Sequence, residues 1–549
     1  MKKLFEVTVN GKTKSFEEGT TYQEIASYYQ KDYEYEILGV KVNEDFVDLG
    51  STLSKDSNVE FFTIADEYGN KVYSRSGRFI LLLAAQKAFG KKVRVKIKYS
   101  FDYVVYFTID GIDVNDETEK LINKEFQKIV DSDFLFTHLT VSRLEAMNYF
   151  HKRKMYDKEK LLKYISNTYI NLYRIDYLYD YFYGKMAYST KQINMFKIKK
   201  AVDGFVLMFP SVFIPNELPK FKNNFKMYDK YKIAIDFGRS INISNVSDLN
   251  LKVSNAEVRD IILMCEAHYD NQLLKIADDI VDKNKKIILL AGPSSSGKTT
   301  TAKKLSIYLK SKGYNTISIS VDDYFTDLKL RPKDENGKHD FESINAVDVN
   351  LFNENLNQLL KGESVNLPQY DFVEGKRFFD KRTTKLGKND IIVVEGLHAI
   401  NDLLTKNIEK RYKYKIFLNP LASINIDDHN HINSVDIRKL RRIIRDSKTR
   451  GMSARKTLEL WKDIQKGEIN NIYPYQFDVD ALVDSGLVYE IGVLKTYVEP
   501  LLYSVDSSAL EYPEAIRLIN LLRNFLPITS DDVPMDSVLR EFIGGSCFK

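Results

Sequence analysis

The stretch IILLA at 287 to 291 runs directly into GPSSSGKT and then TTAKKLSIYL. A buried strand, a turn spaced GxxxxGK[ST] and an amphipathic helix, in that order, leave few folds open. The two flanking elements must pack so that the N–H groups of the loop converge at the start of the helix. Gly292 and Gly297 allow the tight turn, and Pro293, Ser294, Ser295 and Ser296 carry the backbone between them. Lys298 can neutralise the β- and γ-phosphates of a nucleotide, Thr299 can ligate Mg²⁺, and Thr300 follows in the first turn. A chance glycine-rich turn is the alternative, and the strand and helix on either side argue against it.

Acidic residues follow where a doubly wound parallel sheet would place them. The strand NTISISV ends in Asp322 and Asp323, and DIIVVEG ends in Glu395. The carboxyl ends of such strands face the nucleotide crevice, where carboxylates can hold Mg²⁺ and take a proton from an attacking hydroxyl. Successive side chains at a strand end point to opposite sides, so only one of the two aspartates can face that hydroxyl. Farther on, RRIIRDSKTRG reads as a helix. Arg438, Arg442 and Arg445 fall on it at i, i+4 and i+7, where one face can donate to a phosphoryl group. A solvated basic face or a nucleic-acid patch is the competing reading.

The chain has 549 residues, enough for roughly three to four domains. Lys and Arg number 81 against 76 for Asp and Glu, so bulk charge gives no warrant for a nucleic-acid partner. Cys265 and Cys547 stand far apart, which excludes a disulfide framework and a CxxC metal site and places the expectation in a reducing, cytoplasmic setting. Glu6, Thr8 and Asn10 break the first apolar run, so no signal peptide is expected. No segment reaches the ~20 apolar residues of a membrane span. A homo-oligomer stays open.

Residues 4 to 16 alternate around Asn10-Gly11, a strong hairpin signal, before a helix near Tyr22 to Tyr29 and strands in ILGVKVN and VEFFTI. This order, ending near residue 64, resembles the β-grasp TGS domain at the front of threonyl-tRNA synthetases. From 65 to 235, EYGNKVYSRSGRFILLLAAQKAFG and YVVYFTIDG resemble the α+β second additional domain of that family. The editing groups of that domain, HxxxH and CxxxH, fall on Arg75, Phe79, Phe182 and Met186. None of these supplies imidazole, thiolate or carboxylate lone pairs, so editing is not expected and a scaffold or substrate-presenting role is. Residues 254 to 284 carry apolar positions at helical spacing, among them Val258, Ile261 and Ile262, and 236 to 284 reads as a helical connector.

Over 285 to 490 five ordered segments resemble the uridine kinase-like nucleoside kinases: SVDDYF, DFESINAVD, LPQYDFVEGKR, IIVVEG and RRIIRDSKTRG. The resemblance implies a P-loop kinase domain with a parallel doubly wound sheet. It makes Asp322 the base and a Mg²⁺ contact, with Glu395 completing the metal site. Glu342 stands where the family has a ribose-binding Asp, Tyr370, Phe372 and Phe325 line the acceptor pocket, and Arg442, Arg445 and Arg450 reach over the phosphates. ATP and Mg²⁺ are the implied cofactors. The implied reaction puts phosphate on a hydroxyl of a uridine- or cytidine-like nucleoside or a related small polyol; an NTP-dependent RNA- or ribosome-associated binding protein is the alternative.

Departures fall where a base would be read. The family His is Gly375, its second lid Arg is Met452, and Phe325 replaces a Tyr. The segment NIDDHNHINSVD, with Asp427, Asp428, His429 and His431, reads as a polar loop capping the next helix near Ser434 or Asp436 rather than as a metal site. Residues 491 to 549 read as a C-terminal helical extension, with helices near 512 to 526 and 535 to 543. The layout as a whole looks like the bacterial TGS-containing nucleoside kinase group.

Overall fold

The computed structural model describes residues 3–101, 104–221, 225–330, 343–371, 374–379 and 383–548. The chain opens with strands Leu4–Val9 and Lys12–Glu17, paired antiparallel about Asn10 and Gly11. Both turn residues have positive φ, +49° and +76°, the twist that a two-residue hairpin needs. Three further strands complete a mixed sheet in the order Lys12–Glu17, Leu4–Val9, Ser57–Thr63, Ile37–Val42, Asp45–Val47. The helix Tyr22–Tyr29 covers it, held at its start by a capping box between Thr21 and Glu24. Its Ile25 meets Val7, Val40 and Phe61 in a small closed core.

The helix Glu67–Phe89 follows, with Phe79 to Ala85 all buried. It packs beside a four-stranded antiparallel sheet in the order Lys197–Lys200, Phe205–Met208, Val104–Ile109, Val95–Phe101. A second sheet has three strands, Leu178–Tyr181, Tyr169–Ile175 and Thr137–Ser142. Three helices then lead onward, Phe225–Ser240, Val246–Ser254 and Val258–Asp282. The first of them crosses the expected boundary at 235. Ile261, Ile262, Cys265 and Leu273 join Phe150 and Leu172 on one side and Ile288, Leu305 and Leu418 on the other in a single apolar cluster. The halves of the chain therefore share a core.

The second half is built on a five-stranded sheet whose neighbours are all parallel, in the order Asn315–Ser320, Asp390–Glu395, Ile287–Ala291, Lys413–Asn419, Ala481–Asp484. Ile287–Ala291 is fully buried at its centre, as its unbroken apolar run requires. Helices Lys298–Ser311, Ser434–Arg450 and Ala454–Asn471 surround its carboxyl ends, and Glu490–Tyr503, Tyr512–Leu522 and the short Arg540–Ile543 complete the order.

The loop with the four Asp and His residues ties the halves together. Asp427 accepts from Lys158 at 2.8 Å, Asp180 pairs with both Lys158 and the ring of His429, and Ile97 N–H donates to Asp428 C=O. Among the described residues no group of three His, Cys, Asp or Glu side chains is placed to hold a metal. The next helix is capped by Asn433, which accepts from Val435 N–H, and not by Ser434 or Asp436, which lie inside it. An asparagine just ahead supplies the acceptor that a serine within the first turn cannot.

Candidate active site

The loop Gly292–Thr299 joins the central strand to the helix Lys298–Ser311. Gly297 has φ +94°, and a Cβ there would come within 2.3 Å of Val538. A Cβ on Gly292 would meet the Leu418 carbonyl oxygen at 2.3 Å, so neither glycine can be replaced without moving backbone or the segment behind it. The hydroxyls of Ser295 and Ser296 are buried and bond to nothing among the described residues, which leaves them available beside the loop N–H groups.

Around this loop stands a frame of arginines from the helix Ser434–Arg450. Arg438 donates to the Ser294 carbonyl and pairs at 2.6 Å with Glu468, which accepts from Ser294 N–H. Arg441 reaches the carbonyls of Ser295 and Ser296 and pairs with Glu490. Arg442 donates to Ser294 Oγ at 2.5 Å. Arg442, Arg445 and Arg450 all converge on one buried carboxylate, Asp446. Two of the three cations expected on a single face, Arg442 and Arg445, share Asp446, while Arg438 turns inward as a strut. Burial pulls Arg445 below the usual guanidinium range, assisted by Arg450.

Lys298 folds back onto the carbonyls of Gly292 and Pro293 at 3.0 and 3.2 Å. Burial lowers its pKa, opposed by Glu395, Glu541 and Asp322. Glu395 moves the other way: burial raises its carboxyl, opposed by Lys298. The Thr299 hydroxyl lies 3.3 Å from the nearer Glu395 oxygen. Asp322 acts electrostatically on both Lys298 and Glu395, so the loop, the lysine and the two acids share one space. Asp322 and Asp323 sit in a 3₁₀ turn, Val321–Tyr324, just beyond the strand, because Ser320 Oγ accepts from Asp322 N–H and turns the chain.

Phe325 and Tyr370 meet edge to face, ring centroids 5.8 Å apart, both nearly buried. Glu342 and Phe372 lie outside the described residues. Gly375 has φ +66° and faces Leu328 Cβ at 3.0 Å, so a histidine there would be strained and crowded. The departure from the family pattern is thus built into the backbone.

Four contacts went unread in the sequence. Arg377 pairs with Asp348 at 3.0 Å and joins two of the motif segments; both are fixed letters of those motifs, which was the available signal. Glu468 and Glu490 anchor the arginine frame from distant helices. Glu541 accepts from Thr300 N–H at 3.2 Å and from its hydroxyl at 2.9 Å, a carboxylate seated on the first turn of the loop helix.

The phosphoribulokinase/uridine kinase family model matches residues 287–491. A uridine kinase of Bacillus pumilus is 30% identical over 201 residues, covering 36% of this chain and 86% of that protein. One from Aliivibrio salmonicida is 30% identical over 221 residues, covering 39% of this chain and 94% of its own length. Among solved structures, D-glycerate 3-kinase from Cryptococcus neoformans aligns with 49% of this chain and 87% of its own at 15% identity and a TM-score of 0.22.

Proposed function

The chain belongs to the phosphoribulokinase/uridine kinase family through residues 287–491, and from that premise we propose that it is an ATP-dependent kinase acting on a hydroxyl of a nucleoside or related small polyol. The observation that carries the reading is the convergence of Lys298, Thr299, Glu395 and Asp322 at one end of the parallel sheet. In this reading the loop amides from Gly292 to Thr300 and the Lys298 ammonium grip the nucleotide phosphates. The acceptor hydroxyl gives its proton to the Asp322 carboxylate while its oxygen bonds to the transferred phosphorus and the bond to the leaving oxygen breaks. Arg442, Arg445 and Arg450 supply donors on the phosphoryl side, held in register by Asp446. Phe325 and Tyr370 wall the acceptor and keep water from competing for the phosphoryl group.

Thr299, Glu395 and Asp322 present hydroxyl and carboxylate oxygens, a donor set that fits Mg²⁺. Bound there, the ion supplies charge neutralisation at the phosphates. The glycine at 375 removes a base-reading side chain, which favours an acceptor defined by its hydroxyls and leaves a nucleoside as one member of that class.

The reading extends to the front half as a TGS-like β-grasp unit over 1–64 and a synthetase-like unit over 65–235, with a connector at 236–284, the kinase domain at 285–490 and a helical extension at 491–549. Two features support it: the mixed five-stranded sheet covered by one helix, and the meeting of two of the four editing positions, Phe79 and Phe182, in space. Phe79 and Phe182 lie 5.2 Å apart, and Ser76 Oγ touches Met186 Sδ at 3.6 Å. All three apolar members are buried, so the position is core rather than catalytic. Both cysteines are free, in keeping with a cytoplasmic setting.

ATP turnover measured against a panel of nucleosides and polyols, with and without tRNA, tests the proposal. Turnover with a hydroxyl acceptor that vanishes in Lys298→Ala is expected. Stimulation by tRNA alone, with no acceptor phosphorylated, would overturn it.

A further inference from the structure

A cavity of about 490 Å³ opens where the helix Glu67–Phe89 faces the starts of the helices Ser434–Arg450 and Tyr512–Leu522. Lys71, Arg75 and Arg78, at i, i+4 and i+7, all line it from one helix face. Arg75 and Arg78 are 6% and 9% exposed. Among the described residues none of the three forms an ion pair. Arg75 uses one donor on the Lys185 carbonyl, at 2.6 Å, and its guanidinium lies 6.0 Å from the Tyr183 ring centroid. Arg78 donates to the Ser74 carbonyl and meets the ring of His431 at 2.9 Å. The Tyr68 hydroxyl, also on the cavity wall, is buried and bonds to nothing among the described residues.

Carboxylates are close by, and cations other than these three hold them. Arg517 forks onto Asp436 at 2.6 and 2.9 Å and onto Glu514. Lys439 takes Glu67 and shares the Glu514 Oε1 that Arg517 also reaches. Nearer the rim, Glu511 pairs with Arg455, and Glu468 with Arg438. The helix face therefore brings two arginines and a lysine without carboxylate ion pairs to the cavity wall, with a phenol hydroxyl beside them. Isolated buried cations are costly, so such an arrangement persists where an anion completes it.

We infer that this cavity is a binding site for a small phosphorylated molecule, with Lys71, Arg75 and Arg78 as the phosphate-reading groups. Two planar guanidinium forks and a compact ammonium match the several oxygens and double charge of a phosphate monoester better than a single carboxylate. The volume admits a body of sugar size, which favours a small molecule over an RNA backbone. Burial lowers the pKa of all three cations, and at Lys71 the nearby Asp436, Glu67 and Glu514 oppose the shift without reversing it. The site is separate from the P-loop and does not depend on the kinase reading.

The test uses the full chain and inorganic phosphate, read as thermal stabilisation and as binding by calorimetry, against chloride at matched ionic strength. Phosphate should stabilise the protein where chloride does not, and most of that stabilisation should remain in Lys298→Ala. Its affinity should fall tenfold or more in Lys71→Gln and in the pair Lys71→Gln with Arg75→Gln, while ATP affinity stays within twofold. Lys71 is only half-buried, so the single variant keeps the test usable if the double one folds poorly. Equal stabilisation by chloride, loss of the effect in Lys298→Ala, unchanged phosphate affinity in Lys71→Gln, or displacement of phosphate by bulk tRNA would each overturn the assignment.

Discussion

Along the helix Ser434–Arg450 the interior cations Arg438, Lys439 and Arg441 each meet a carboxylate, at Glu468, Glu514 and Glu490. Along Glu67–Phe89 the interior cations Arg75 and Arg78 meet carbonyls and a histidine ring, and the half-buried Lys71 stands with them on the cavity wall. The electrostatics follow the pairing. Burial opposes the charge on Arg438 and Lys439, yet their carboxylates outweigh it and both pKa values rise. Burial outweighs the opposing charges at the other helix, and Arg78 is pulled to about 10. Two rows of basic residues, each on one helix, thus serve different ends. The paired row fixes the position of the P-loop, and the unpaired row keeps its donors for something that is not part of the chain.

The largest expected effect separates chemistry from charge. Asp322→Asn should lower kcat by about 10²–10⁴ with ATP affinity retained, since a positioned base is worth that much and the loop keeps its grip. Arg75→Gln should leave kcat within about twofold. Comparable losses in the two variants would erase the functional distinction between the regions.

Next in size is the cost of breaking a pair. Arg438→Ala strands Glu468 without its cation and should destabilise the fold by about 3–5 kcal/mol in urea unfolding. A midpoint equal to that of the parent protein would show that the arginine frame is not structural.

Asp323→Asn should cost about tenfold or less in kcat, if only its neighbour serves as base. Should it prove the more damaging of the two, the assignment through SVDDYF shifts by one residue and Phe325 must be reassigned with it.

Lys71→Met should act in the opposite direction to Arg438→Ala, raising stability by about 1 kcal/mol at pH 7 in phosphate-free buffer. Because burial lowers the pKa of Lys71, its charged form opposes folding below that value, and the penalty lifts as pH rises toward 10.5. The gain in the variant should therefore shrink in alkaline buffer. A gain that grows with pH would mean that the carboxylates near the lysine, Asp436 first among them, outweigh its burial.

The smallest effect is none: the full chain should deacylate mischarged tRNA no faster than buffer, with Phe79, Phe182 and Met186 packed as core. Measurable deacylation would return editing chemistry to the front half.

Short-range signals carried much of this reading. The strand, loop and helix at 287–311, the Asn10-Gly11 hairpin and the helix from Tyr22 to Tyr29 are all written in local spacing and turn chemistry. Spacing also put Arg438, Arg442 and Arg445 on one helix, but it could not say which would face phosphate. That depends on Glu468 and Asp446, and the first of these contacts spans 30 residues of sequence. The loop 425–431 drew attention as a run of acids and imidazoles; its partners, Lys158 and Asp180, lie about 250 residues or more away and turn it into a clamp between the halves. Hydrophobic periodicity suggested a connector at 236–284, whereas the helix Val258–Asp282 is central to the shared core. Burial on several sides is a tertiary property that one helical period does not reveal.

The Glu541 carboxylate rests on the amide and hydroxyl of Thr300, and each of those hydrogens can be donated only once at full strength. An incoming phosphate that uses the same first turn does not enter a vacant nest; it trades places with an anion already there. Nucleotide affinity and the docking of the segment 536–544 are then two sides of one exchange equilibrium, and whatever loosens the segment tightens the nucleotide by the same factor. Glu541→Gln, which keeps the shape and removes the charge, should bind ATP several-fold more tightly, and an unchanged dissociation constant would show that the two anions never compete.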